Sequence, residues 1–350
     1  MKQIATAAPL RLWKAALAAT LCAAAFSQTG LAQVPPASIL QIDVANNVLY
    51  LEDTSDVTRF GTDPNATAAA GGHGAKNFNR AVGVADIVAV NGLPVTGTHI
   101  RSAVNIFSST APAPGQAIAD TVRLALALFT FEILKSDGTP IGTIVTNGFG
   151  GGAAPPGAPL TATGGNNFVI AGGTGAFLGA RGQMELVANP SGVASQRGAS
   201  ITEDPANRRL NGGGTQRYVV HLIPMSAPQI VVTPGGPALT HSGDFSLVTS
   251  SKPASAGEVL SLFATGLGPT VPAVDPGQPF PSTPLAVVNS PIEVKVNGNS
   301  AEVLGAAGLP GAVEGYQVNF RVPPGTAKGP ASIQVSAAWI SGAVVSIPVQ

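Results

Sequence analysis

Asn167 to Glu185 reads NFVIAGGTGAFLGARGQME, and the way this stretch turns decides the fold. A short hydrophobic run reaches Gly172-Gly173-Thr174-Gly175, Phe177 follows two residues later, and Arg181 opens a second strand-like run, RGQMELVA. Glycine permits backbone angles closed to other residues, so the chain is expected to turn sharply at 172–175 and carry Phe177 into a core. The pattern is strand, tight glycine turn, large plug residue, strand, as at the closing turn of a barrel. A phosphate-binding loop would need a helix-forming run or a Gly-Lys-Ser/Thr after the glycines, and neither follows.

Working outward, alternating or apolar runs predict strands at 39–52, 85–92, 98–109, 121–135, 139–147, 166–171, 181–188 and 215–224. Eight such segments suit a closed antiparallel barrel, which removes edge strands by closure. The strongest hairpin signal is FTFEILKSDGTPIGTIVT, Phe129 to Thr146, with Asp137-Gly138 between two apolar strands. The connections 59–79 and 148–165 are long and rich in Gly and Ala, and are expected either to rim a barrel mouth or to be mobile surface. In a third, 191–214, Arg208 and Arg209 beside Glu203 and Asp204 read as ordinary solvated surface.

Beyond a proline-marked boundary at 224–228, a second set of short strands is expected at 229–233, 244–248, 257–265, 290–296, 300–304, 314–322, 331–337 and 343–349. Prolines at 269, 272, 276, 279, 281 and 284 exclude regular structure between Gly268 and Leu285. Many short strands separated by Gly/Pro turns indicate a β-sandwich. With 43 glycines, 30 prolines and only 10% charged residues, the chain holds little material for surface helices, so the fold class is all-β throughout.

Two stretches resemble known families. GGTGAFLGARG is similar to the GGTG-x-F-x-x-ARG signature of dirigent proteins and the wider allene oxide cyclase barrel superfamily, matching it at Gly172, Gly173, Thr174, Gly175, Phe177, Ala180, Arg181 and Gly182. That resemblance implies an eight-stranded antiparallel barrel with an internal cavity over about 35–225; plant members guide phenoxy-radical coupling or cyclise a fatty-acid epoxide. The acidic His-Asp strand of those enzymes has no counterpart in ANNVLYLE, 45–52, or THIRSAVNIFSS, 98–109, a departure that speaks against radical control. GEVLSLFATGLGPT, SPIEVKVNGNSAEVLGAAGLPGAVEGYQVNFRVPPGT and SGAVVSIPV resemble an immunoglobulin-like C-terminal domain common on secreted proteins of Acidobacteria, of the Solibacter type, over 229–350. No chemistry is attached to that domain.

No linear catalytic motif is present: there is no G-x-S-x-G elbow, H-E-x-x-H or calcium loop, and the histidines at 73, 99, 221 and 241 show no metal-ligand spacing. Neither a cofactor nor a metal is therefore expected. The informative residues are polar ones set in apolar strands. Glu132 interrupts FTFEIL, while Arg181, Gln183 and Glu185 share one face of their strand, with Met184 and Leu186 on the other. Pointing outward, the polar three are plain solvent surface. Pointing inward, Arg181 binds an anionic or phenolic oxygen while Glu132 or Glu185 moves a proton, which makes Arg181, Glu132 and Glu185 the candidate catalytic set. His221 stands alone in its strand and needs a partner from another strand to act.

At the start, Lys2, Arg11 and Lys14 precede an apolar run from Ala15 to Phe26, and small residues at Gly30 and Ala32 fit leader cleavage after residue 32. The run is too short to span a bilayer. Cys22, the single cysteine, follows Leu21, a poor fit to lipid attachment. Removal of 1–32 leaves 15 basic against 18 acidic residues, a net charge of about −3 that recommends no nucleic acid as partner. The expectation is a secreted, periplasmic or cell-envelope protein with no transmembrane segment once the leader is gone. Three functions stay open: a noncatalytic module or scaffold whose barrel holds a small apolar or aromatic ligand, a cofactor-independent isomerase or cyclase, and a structural or adhesive protein. The sequence names no protein partner.

Overall fold

The computed structural model of the chain describes residues 38–53, 77–107, 124–150 and 166–350. Its first sheet is built from β1 (Ser38–Asp53), β2 (Asn77–Val90), β3 (Thr96–Phe107), β4 (Leu124–Leu134), β5 (Pro140–Gly150), β6 (Asn166–Gly175), β7 (Arg181–Val187) and β8 (Gly214–Ile223). Each strand pairs antiparallel with the next, and β8 returns to pair with β1. The sheet thus closes on itself as an eight-stranded antiparallel barrel, and its long strands have no free edge.

All eight anticipated segments are strands, but β2 begins eight residues before its expected start. Its inward positions include Ala81, Gly83 and Ala85, so small residues conceal the alternation there. The Asp137-Gly138 turn is found as expected, with Gly138 at φ +85° and Lys135 N–H donating to Thr139 O at 2.8 Å. Long connections leave one end of the barrel, after β1, β3, β5 and β7, and short ones close the other. The expectations placed on 59–76, 108–109, 121–123 and 151–165, and on the leader, lie outside the described residues.

The organising stretch departs from expectation in one respect. Gly172 to Gly175 do not make the turn; they complete β6, paired with Val145, Ile144, Thr143 and Gly142. The chain reverses one step later, where Phe177 N–H donates to Thr174 O at 3.1 Å and Ala180 N–H to Phe177 O at 3.0 Å. Glycine is required because Phe177 folds back against the strand: a Cβ on Gly173 would lie 2.5 Å from Phe177 O and 2.9 Å from Phe177 Cβ. Phe177 is buried to 1% exposure, the plug the sequence predicts.

Inside the barrel, Leu40, Ile42, Phe129, Phe131, Ile144, Phe168, Val220 and Leu222 belong to one apolar cluster. A bulge at 45–47, with Asn46 at φ +51°, shifts the register of β1. Beyond it Leu49 and Leu51 take the inward places, and Val48 and Tyr50 turn outward to pack on Ala199 and Val84. Asparagine tolerates this left-handed backbone better than most residues. The segment 191–214 is not plain solvated surface as expected. Arg208 is buried and donates to Asn46 O and Asp86 Oδ1, both at 2.7 Å, and Arg197 binds Glu203 through two hydrogen bonds.

The second sheet is antiparallel and sandwich-like. Its longer strands are β9 (Val259–Thr265), β10 (Ile292–Val296), β11 (Asn299–Gly308), β12 (Tyr316–Arg321), β13 (Gly329–Ala337) and β14 (Val345–Val349). β11 pairs with β10 over 299–301 and with β12 over 302–308, the latter with a register shift at 303–305, so the sheet curls over its own core of Leu260, Leu262, Val294, Val318, Phe320, Ile333 and Val335. Between Gly268 and Leu285, where no regular structure is expected, Thr270–Val271 forms a two-residue strand, flanked rather than interrupted by Pro269 and Pro272. The strand expected at 244–248 is absent. Asp244 Oδ1 there accepts from Ser246 N–H and Oγ–H, Phe245 sits at φ +56°, and the neighbouring strand is Leu239–His241. Between β13 and the short strand Ile340–Ser341, Ala338 and Trp339 both take positive φ. Ala338 and Ile340 join the barrel's apolar cluster, so this hairpin of the second sheet backs the plugged end.

Candidate functional site

The polar side chains that the barrel brings inside come mainly from β3 and β8, with Thr146 from β5. Along β3 the alternation His99, Arg101, Ala103 faces inward, and Ile100, Ser102 and Val104 face outward and exposed. His99 is almost fully enclosed by rings, stacked on Phe131 with centroids 4.6 Å apart and beside Tyr218 at 4.9 Å, while Phe129 meets Phe168 edge to face at 4.7 Å. His99 Nδ1 lies 3.3 Å from Thr130 O, which only accepts, so Nδ1 carries the proton. Nε2 is then an acceptor, and Tyr218 donates its hydroxyl proton to it across 3.1 Å.

Burial holds this pair neutral. It drives the His99 imidazole down to about 3 against a smaller opposing effect of the Thr130 hydrogen bond, and pushes the Tyr218 phenol well above its usual value. Arg101 is the exception in the interior. Its carbon over the Phe129 ring lies 5.5 Å from the centroid, a cation–π contact worth about 1 to 2 kcal/mol. Its Nε is buried without a hydrogen-bond partner, and burial pulls its guanidinium below the ordinary value. Among the described residues no carboxylate pairs with it. Yet the side chain as a whole keeps intermediate exposure although it points inward, so solvent reaches it within the barrel.

The sequence-selected residues lie elsewhere. Glu132 is exposed on the outer wall of β4, between Thr98 and Thr143. Arg181 is exposed on β7, three strands away, and Met184 and Leu186 pack inward, the solvent-facing alternative for this strand. Glu185 also lies on the outer wall but is buried, and its Oε1 is 3.0 Å from His221 Nε2 on β8. His221 therefore has the cross-strand partner that the sequence left open. The structure does not gather Arg181, Glu132 and Glu185 into one interior site. The sequence does not single out His99, Arg101 and Tyr218, because hydrophobicity alone turns Ile100 and Val104 of THIRSAV inward. The available signal was the i, i+2 spacing of His99 and Arg101, which puts both on one face.

A cavity of about 440 Å³ lies at the plugged end, between Phe177, Leu178 and Met225 and the second sheet's Leu267, Phe280 and Tyr316. It does not contain the polar interior cluster. Its charged lining residues are Asp275 and Glu314; the inward, partly buried Arg101, with its Nε unpartnered, makes the barrel interior the stronger site. Among the described residues no group of three or more His, Cys, Asp or Glu is placed to hold a metal ion, and no helix is long and apolar enough to cross a membrane. Compared with family models, curated proteins and solved structures, the chain matches none.

Proposed function

We propose that the chain is an exported protein whose barrel, of allene oxide cyclase or dirigent type, binds a small apolar or aromatic ligand without transforming it, and whose second sheet is an immunoglobulin-like module. The observation that carries this reading is the aromatic interior of Phe129, Phe131, Phe168 and Tyr218 around a solvent-reachable Arg101. Toward the end with long connections, Ala81, Gly83, Ala103, Ala127 and Gly148 are small inward residues beside the larger Leu49 and Leu51. Binding is favoured over catalysis because both His99 nitrogens are already engaged, and an imidazole held near 3 is a weak base at neutral pH. Export rests on the basic, apolar and small-residue order of 1–32, and N-terminal sequencing of the exported protein should begin at Gln33.

Fluorescence titration with Nile red, a neutral apolar probe, tests the binding site. Saturable one-site binding that is lost in Ala127→Phe, which puts a ring on the inward face one inward position from Phe129, supports the reading. Binding unchanged in that variant, or no saturable binding, contradicts it.

A further inference from the structure

We infer that the barrel's ligand is an organic anion, an apolar or aromatic body carrying one carboxylate-like group that docks on Arg101; this rests on the ligand-binding reading above. The inference comes from the state of every donor in the described interior. Tyr218 gives its proton to His99, and His99 gives its own to Thr130 O. Gln216 Nε2 donates to the carbonyls of Val187 and Arg217, and Thr146 Oγ1 faces Met184 Sδ at 3.9 Å. Only the Arg101 guanidinium keeps unused donors, and it also keeps its charge.

A fold has little reason to retain such a group for stability. A charge drawn partly out of solvent without a partner is costly, and neutral packing of the same volume serves a barrel wall better. Among the described residues, the other arginines of the barrel and its loops lie outside its interior: Arg80 pairs with Glu52, Arg197 with Glu203, Arg208 and Arg209 with Asp86, and Arg217 with Asp43, while Arg181 is exposed on the outer wall. Arg101 has instead an aromatic floor, Phe129, and the small inward residues Gly83, Ala103 and Ala127 around it. The guanidinium fork matches two acceptor oxygens on one head group, and the rings accept a flat apolar body. A neutral ligand would leave the cation unsatisfied, and a cationic one would add repulsion.

The test compares 2-naphthoate with its neutral isostere 2-naphthamide, in the full chain and in Arg101→Gln and Arg101→Met, by naphthalene fluorescence and calorimetry. Wild type should bind naphthoate about 10- to 100-fold tighter than naphthamide, the range for losing a charge-assisted hydrogen bond. Both variants should lose that preference, binding the two probes within about 3-fold of each other. Arg101→Met should also be at least as stable to urea as wild type, because it removes an unpaired charge. Equal binding of the two probes by wild type, with Nile red still bound, overturns the anion inference and leaves the binding site standing. Failure of all three probes overturns both. An Arg101→Met variant that does not fold would show that the cation is paired for stability, and overturns the inference as well.

Discussion

Replacing Phe177 with Ala probes the turn on which the barrel closes. The ring is 1% exposed and lies between two glycines: a Cβ on Gly142 would be 3.0 Å from Phe177 Cδ2, and one on Gly173 would be 2.9 Å from Phe177 Cβ. Those glycines have no side chains to move into the space left behind. Losing the buried ring forfeits about 2 to 3 kcal/mol of transfer free energy. The void of about 100 Å³ adds about 2 kcal/mol at about 24 cal/mol per Å³, so the total is about 4 to 5 kcal/mol. Phe177→Leu, which keeps most of the volume, should cost about 1 kcal/mol. Urea unfolding followed by the fluorescence of Trp339, which packs against the barrel cluster, reads both changes as a lowered midpoint at constant slope. Arg181→Ala, four residues on and exposed, should change stability by less than about 0.5 kcal/mol. A Phe177→Ala variant within about 1 kcal/mol of the parent would refute the plug.

Acid should act on the interior through His99. Because burial depresses its folded value to about 3, below the ordinary 6.5, the unfolded chain takes up the proton first. The stability this group contributes is complete above about pH 6.5 and drains away as pH falls toward about 3, by about 1 kcal/mol per pH unit. Urea midpoints measured from pH 7 to 4 should fall less steeply in His99→Phe than in wild type, and equal slopes would contradict the enclosed neutral imidazole. Asp86 acts lower: burial would raise it, but hydrogen bonds from Arg209, Arg208 and Asn46 together bring it to about 2, so its contribution is lost between about pH 4 and 2. Asp86→Ala, which strips buried Arg208 of its carboxylate, should cost about 2 to 3 kcal/mol at pH 7 by thermal or urea unfolding. A fragment from Ala227 to Gln350 should unfold cooperatively with a β circular-dichroism spectrum, because the core around Leu262, Val318 and Ile333 lies wholly within it; a disordered spectrum would show that it depends on the barrel.

The strands were legible because strong alternation and turn residues act locally: Asp137-Gly138 forms its turn whatever surrounds it. The plug was legible in kind but displaced by a few residues, since glycine signals both a turn and a close approach. At Gly172–Gly175 the close approach of Phe177 to β6 is what requires it. The expected strand at 244–248 failed where local hydrogen bonds from Asp244 compete with pairing. The site was the least legible part. Charge in Arg181 and Glu132 stands out along the chain but stays on the outer wall, whereas Arg101 is hidden by its exposed neighbours Ile100 and Val104, at 46% each. Closure of the sheet, a long-range event, decides which face is inside. The partners of Glu185 and Asp86 likewise lie on other strands or loops, at separations that no periodicity encodes.

The measurement that bears most directly on the barrel as a binding site is a nitrogen-15 NMR titration of the full chain with 2-naphthoate, followed at the histidine rings and the arginine Nε groups. Binding at the interior site predicts that His99 and Arg101 Nε shift together and saturate on one curve, while His221 on the outer wall and His241 in the second sheet stay in place. Saturable binding that leaves His99 and Arg101 unmoved would place the ligand elsewhere and contradict the barrel as its site.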